Sequence, residues 1–356
     1  MGEVNKSIKK RKANLDQKIR IPVSPFLQRF GYGEDGIKMR ISRCPEASIR
    51  SPEMYKIMCR RVKPMKVQER VKAEAELLRR LAHPNIVRFR QYSSAKRKVE
   101  GCDVFLGDMI AQRVEPDYEP FQPKQVLKVA ADIASALDYL HTKKQILHGD
   151  IKSYNILVKG DFEICKLCDF EVCLPLNEHG VLDKEKARTE GRKSDKYYGS
   201  REWRAPEVVN KGEITSKSDV WALGLTLWEM MTLVTPHAEL GCPCGAVVLA
   251  EPLLLGTDGG PFYNLHNYID KMSRWISKIG TRPKIPVNVP EKQFMYPLTL
   301  FYWCTEASPA ARVTAQHLSA AATDMLHHLT YGIWLPHLAG TPLCEPASST
   351  VESTPQ

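Results

Sequence analysis

The sequence predicts an α+β fold of two lobes, a small β-rich N-terminal lobe with one main helix and a larger, helical C-terminal lobe. Three observations carry that expectation. Short strand-like segments crowd the N-terminal third, a long amphipathic helical pattern follows from Pro123, and a later segment, Ser218 to Leu233, is apolar nearly all round. With 356 residues the chain is long enough for one large two-lobed domain with an ample core.

Residues 1–20 contain the run KSIKKRKANLDQKIR and are expected to be a basic, solvated tail. The N-terminal lobe is assigned to 21–109. It opens with the Pro- and Gly-punctuated IPVSPFLQRFGYGEDG and continues into strand-like Ile37–Ile41 and Met54–Arg61. Lys66 to Ala82 then places Val71, Ala75, Leu78 and Leu81 at helical spacing among charges, and HPN ends the pattern. The C-terminal lobe is assigned to 110–334. Its first helix, PKQVLKVAADIASALDYLHTKKQ, turns Val126, Val129, Ala130, Ile133, Ala136, Leu137 and Leu140 to one side. Ser218–Leu233 is expected to be a buried helix, and RVTAQHLSAAATDMLHHL a further one. Residues 335–356, rich in Pro, Ser and Thr, are read as a flexible tail. The stretch from Gly241 to Ile279 is an apolar, Gly-rich insertion, read as packing rather than a docking surface.

Charge and composition narrow the functional classes. The formal net charge of +10 favours acidic partners, yet no recognition motif accompanies it, so nucleic acid is not expected as a partner. The longest apolar stretch, GAVVLAEPLLLG, is broken by Glu251 and Pro252 and is too short to span a bilayer. The N-terminus lacks the apolar core of a secretory signal, and the 10 cysteines are spread as reduced thiols are, which predicts a protein of cytoplasm or nucleus. Neither Cys165-x-x-Cys168 nor Cys242-x-Cys244 has a second pair of ligands, so no zinc site is expected.

The chemistry lies in LHGDIKSYNILV, Leu147 to Val158. Transferring a phosphoryl group asks little covalent work of a protein, so catalysis rests on positioning and charge neutralisation. Asp150 can accept or orient the proton of an acceptor hydroxyl, Lys152 can steady the transferring group, and Asn155 can hold a magnesium ion. Further on, CDFE supplies Asp169 as a second magnesium ligand, and hard magnesium prefers such oxygen donors. Upstream, Gly31-x-Gly33-x-x-Gly36 forms a turn whose backbone can approach phosphates, since no Cβ intervenes. Lys56 in a strand-like segment and Glu74 in the following helix supply the cation and the carboxylate that orients it. Singly these features are weak; their order along one chain is specific.

With those motifs in hand, the chain resembles the eukaryotic protein kinases over roughly Phe26 to Leu329, and within them a MAP-kinase-kinase-like group tied to mitosis. IPVSPFLQRFGYG, SPEMYK, LAHPNIV, LHGDIKS, KGDFE, GLTLWEMMTL and GTRP carry the closer match. The resemblance implies a serine/threonine kinase using ATP and Mg2+ on protein substrates, MAP kinases among them. It also implies that Glu207 pairs with Arg312 and that Asp219 ties the catalytic loop to the buried helix.

Four departures stand out. Gly149 replaces the arginine that usually clamps a phosphorylated activation segment. Glu171 stands where the metal-binding motif normally ends in glycine; it either adds charge beside Asp169 or faces solvent. The valine that usually covers adenine is displaced, leaving Ile37 or Met39 in its place. The group's C-terminal motif for PDZ domains is missing from ESTPQ, so PDZ binding is not carried over. Ser24-Pro25 offers an upstream proline-directed kinase an acceptor just ahead of the Gly loop. A scaffold that binds partners without phosphotransfer is the alternative reading.

Overall fold

The computed structural model describes residues 27–33, 36–41, 55–57, 73–88, 104–113, 120–189, 196–238, 276–286 and 289–332, the first three as backbone alone. Both expected tails, Ser24-Pro25 and nearly all of the 241–279 insertion lie outside these residues.

Strands β1 (Leu27–Gly33), β2 (Gly36–Ile41) and β3 (Tyr55–Ile57) form an antiparallel sheet in that order. Gly33 pairs with Gly36 at the tip of the β1–β2 hairpin, and the register shifts between Phe30 and Tyr32, which puts Gly31 at the irregularity. The glycine motif is therefore a hairpin end with a bulge, where glycine's tolerance of unusual backbone angles has a use. Lys56 lies on β3 opposite Lys38. Helix α1 is described over 73–80, within the expected 66–82.

The sequence reading passed over β4 (Val104–Phe105) and α2 (Leu106–Gln112). Helix α3 (Pro123–Asp138) begins where the pattern predicts, with Pro123 in its first turn. Gln122 and Gln125 close a reciprocal capping box there. Its buried stripe, Val126 to Leu137, packs against the later helices α6 (Lys217–Thr232) and α8 (Ala315–Tyr331). A π-turn, Tyr139–Lys144, extends α3 until Gln145 takes a left-handed conformation. Strands β5 (Ile146–Leu147), β6 (Ile156–Lys159), β7 (Ile164–Leu167) and β8 (Leu174–Pro175) follow, β4-β6-β7 forming one antiparallel sheet and β5-β8 a second pair.

Beyond them come the short helices α4 (Lys184–Thr189) and α5 (Pro206–Val209). Helix α6 is buried over all but its two end residues, as its uniformly apolar sequence demands. Helix α7 (Met295–Cys304) packs on α6, and α8 is capped by Thr314, whose hydroxyl accepts the His317 N–H. Among the described residues no helix is long and apolar enough to cross a membrane. Cys165, Cys168, Cys173 and Cys304 are buried.

One ion pair fastens α5 to the core. The Arg312 guanidinium donates to both carboxylate oxygens of Glu207, at 2.8 and 3.1 Å, and also to the carbonyls of Glu306 and Lys217, at 2.9 and 2.8 Å. Ser218 donates to the same carboxylate, and the guanidinium lies over the Trp221 ring. A pair this buried stabilises only because nearly every donor is used; removing one partner strands the other's charge. Arg312→Ala is expected to lower unfolding free energy by about 3–5 kcal/mol, measured by chemical denaturation against the parent.

Candidate active site

The loop His148-Gly149-Asp150 leaves β5 and enters a 3-10 turn, Ser153–Asn155, ahead of β6. A carboxylate beneath it sets its shape. Asp219, on the first turn of α6 and fully buried, accepts the His148 N–H at 2.8 Å on one oxygen and the Gly149 N–H at 2.9 Å on the other. The His141 ring lies 2.8 Å from the same carboxylate. Asp219 therefore ties the loop to α6 as the resemblance implied.

Held this way, Gly149 adopts φ +78°, and a Cβ there would meet the Val172 carbonyl at 3.2 Å. Left-handed backbone costs other residues about 1–2 kcal/mol, so glycine suits the position that usually bears arginine. His148 is fully buried, its Nε2 facing the Cys168 carbonyl at 3.1 Å while Nδ1 accepts the Asp150 N–H at 3.3 Å. That pattern assigns a neutral ring protonated on Nε2. Burial, the largest influence, lowers its pKa against the pull of Asp219 and Asp150. The Phe170 ring meets the imidazole edge-on, centroids 4.9 Å apart.

Asp150 is fixed on both sides. Asn155 donates to its backbone carbonyl at 2.7 Å and its Oδ2 at 2.9 Å, Lys152 pairs with Oδ2 at 2.9 Å, and the Ser200 N–H reaches Oδ1 at 2.8 Å. Lys152 also donates to the Ser200 hydroxyl at 2.6 Å. Burial would push the Asp150 carboxyl up. The Lys152 charge and the bonds from Ser200 and Lys152 outweigh that and hold it below the usual carboxylate value. Gly199 secures this contact: a Cβ there would fall 2.0 Å from the Gly149 carbonyl oxygen and 2.6 Å from the Tyr197 ring. Only glycine lets the segment before Ser200 lie against the loop.

The residues expected to hold a metal lie at the end of β7. The Cys168 N–H donates to the Asn155 carbonyl at 3.0 Å, which brings the next residue, Asp169, alongside the Asp150–Asn155 turn. Asp169 is buried and takes φ +68°. The Phe170 N–H donates to Glu74 Oε1 at 3.1 Å, so α1 contacts the motif directly. Carboxylate oxygens of Glu74, Asp169 and Glu171 all lie within 4.8 Å of one another. Glu171 is half-buried beside them, so of the two expectations for it, charge near Asp169 is the one realised. This all-oxygen donor set fits a hard divalent cation.

Asp150, Lys152 and Asn155 thus meet in one network, and Glu74 and Asp169 in a neighbouring one. Gly31, Gly33, Gly36 and Lys56 keep their places on the β1–β3 backbone, while the Lys56 side chain, with any pairing to Glu74, lies outside the described residues. His141 and Gly199 were missed. Nothing local marks His141, but a glycine beside Ser200 in YYGSREW was a usable signal.

His148 has a folded pKa below its ordinary 6.5. The unfolded state therefore binds more protons in the acid range, and this residue's contribution, full above the unfolded value, is lost as pH falls through the folded one. Unfolding free energy is expected to drop between about pH 7.5 and about pH 5.5. His148→Phe, which keeps a ring against Phe170 but cannot titrate, flattens that drop; an unchanged slope would contradict the neutral-ring assignment.

Comparison with known proteins agrees with this geometry. The family model described as "Protein kinase domain" matches residues 27–322. The lymphokine-activated killer T-cell-originated protein kinase of Homo sapiens is 34% identical over 86% of this chain and 92% of its own length. Mitogen-activated protein kinase kinase kinase 1b of Physcomitrium patens is 34% identical over 59% of the chain, and the serine/threonine/tyrosine-protein kinase HT1 of Arabidopsis thaliana 29% identical over 52%. The matches cover only 25% and 45% of those two proteins' lengths. The chain belongs to the protein kinase domain family.

Proposed function

We propose that the protein is a serine/threonine kinase that transfers the γ-phosphate of ATP to hydroxyl groups of protein substrates, with Mg2+ as cofactor. The observation that carries this is the Asp150 carboxylate, ionised and held at once by Asn155, Lys152 and Ser200. A carboxylate so fixed can orient an acceptor hydroxyl and receive its proton without first reorganising. Lys152, bridging Asp150 and Ser200, places positive charge where the transferring phosphoryl group passes. Asp169 and Asn155 would hold the metal, with Glu171 close by. Bound magnesium would neutralise the charge of the phosphate oxygens. Backbone of the Gly31–Gly36 hairpin and the Lys56 cation would position the phosphates, and Glu74 would orient Lys56.

Serine/threonine preference is supported by Lys152 two residues after Asp150 and by its bond to Ser200. Relatives named as members of mitogen-activated protein kinase cascades support protein substrates within such a cascade. An inactive scaffold is the second reading, favoured by Glu171 in place of glycine; the complete Asp150 network stands against it.

With labelled ATP and a generic protein substrate, the parent is expected to transfer phosphate onto serine or threonine. Asp150→Asn is expected to lose about 10²-fold or more, and Lys56→Met to be similarly impaired. Equal signal from parent and variants, or no transfer at all, would leave the scaffold. Glu171→Gly removes one carboxylate from beside Asp169. It is expected to weaken divalent-cation binding, followed by Mn2+ electron paramagnetic resonance with ADP present, by about fivefold or more, since a unit charge at this range is worth about 1 kcal/mol even in water. Unchanged affinity would remove Glu171 from the metal's surroundings.

A further inference from the structure

The GTRP stretch takes no part in the catalytic scheme, yet it builds a cavity. Gly280, Thr281 and Arg282 line about 350 Å³ together with Pro206 at the start of α5, Trp221 on α6 and the turn of residues 305–307 after α7. That volume is at the small end of cavities that hold ligands, and suits a fused ring with one polar group. Gly280 makes the enclosure possible. At its φ of +80° a Cβ would meet Val209 Cγ2 at 3.0 Å and Pro206 Cα at 3.2 Å, so glycine lets the stretch close against α5.

Two hydrogen-bond donors on these walls are left over. Trp221 is 1% exposed, and its Nε1–H makes no hydrogen bond among the described residues. A buried indole N–H ordinarily has an acceptor, as that of Trp228 has in the Lys284 carbonyl at 3.0 Å. Arg282 supplies the second donor. Its Nε and Nη2 donate to Thr305, Tyr302 and Glu306, which fixes the guanidinium, while its Nη1 makes no bond among the described residues. Glu306, the carboxylate on the wall, is already engaged with Arg282 Nη2 at 2.9 Å. The cavity thus offers a fixed cation and a neutral N–H within mainly apolar walls.

We propose that this cavity is a binding site for a small aromatic carboxylic acid. The carboxylate accepts from the Trp221 N–H and from Arg282 Nη1, the latter a charge-assisted bond, and the ring lies against Pro206 and the indole. The site shares no residue with either network around Asp150 and Asp169, so it stands whether or not the protein transfers phosphate. Its walls do belong to the Glu207–Arg312 pair. The Arg312 guanidinium lies over the Trp221 ring and donates to the carbonyls of Glu306 and Ala307, so a ligand held here bears on the pair that fastens α5.

The test titrates naphthoate, with naphthylmethanol as its uncharged counterpart, into the full chain carrying isotope-labelled tryptophan, and follows the indole N–H signals by NMR. The signal of Trp221 is assigned by elimination, after the other tryptophans are replaced by phenylalanine one at a time. Naphthoate is expected to move that signal downfield and saturably, with Kd below about 1 mM, and naphthylmethanol to bind about tenfold more weakly. Ala307→Phe, at an exposed position on the rim, fills the cavity and is expected to weaken naphthoate by about tenfold or more. Thermal melting monitors folding, and Ala307→Leu takes its place should the larger side chain unfold the protein. A Trp221 signal unmoved at about 10 mM naphthoate overturns the site, as does undiminished binding to the rim variant, which puts the ligand elsewhere. Equal affinity for the acid and the alcohol overturns the ligand class, because the two donors then contribute nothing.

Discussion

Everything at the candidate site hangs on the Asp219 carboxylate. Buried on the first turn of α6, it accepts two consecutive backbone N–H groups of the catalytic loop and faces a histidine from the turn after α3. Charge-assisted bonds of this kind are short and strong, and in a low-dielectric interior they leave the loop little alternative. Removing that carboxylate would leave two buried N–H groups without acceptors just where Asp150 must be aimed. The rigidity of α6, apolar on every side, thereby passes to a loop that carries three polar functional side chains.

Around that anchor the site divides its charges between two neighbouring networks. Asp150, Lys152, Asn155 and Ser200 bond to one another in one of them. Glu74, Asp169 and Glu171 gather negative charge in the other. The Asn155 main chain, bonded to Cys168, joins the two. Gly149 changes meaning in this setting. Its left-handed backbone and its carbonyl, against which Gly199 rests, make it a contact between loop and downstream segment, so a missing arginine does not leave a gap.

How much of this could be read in advance follows from the range of each interaction along the chain. Helix α3 was legible because its apolar residues repeat at the helical period, and α6 because it has no polar face at all. Asp150, Lys152 and Asn155 lie within six consecutive residues, so their spacing alone suggested a shared task. The Glu207–Arg312 pair spans 105 positions, and no local pattern encodes such a partnership; it was expected only through family resemblance. Helix α7 escaped because MYPLTLFYWC is almost uniformly apolar and contains Pro297, which leaves no period to count.

Asp169 carries a further consequence through its backbone. At φ +68° a residue with a side chain is held about 1–2 kcal/mol above its relaxed state. The neighbouring contacts, Phe170 with Glu74 and with the His148 ring, keep it there. A small molecule that wedges the Phe170 ring away from His148 and lets Asp169 relax would recover that energy as affinity, about five- to thirtyfold. For inhibitor design this makes the shape of the Asp169-Phe170 backbone a handle for selectivity.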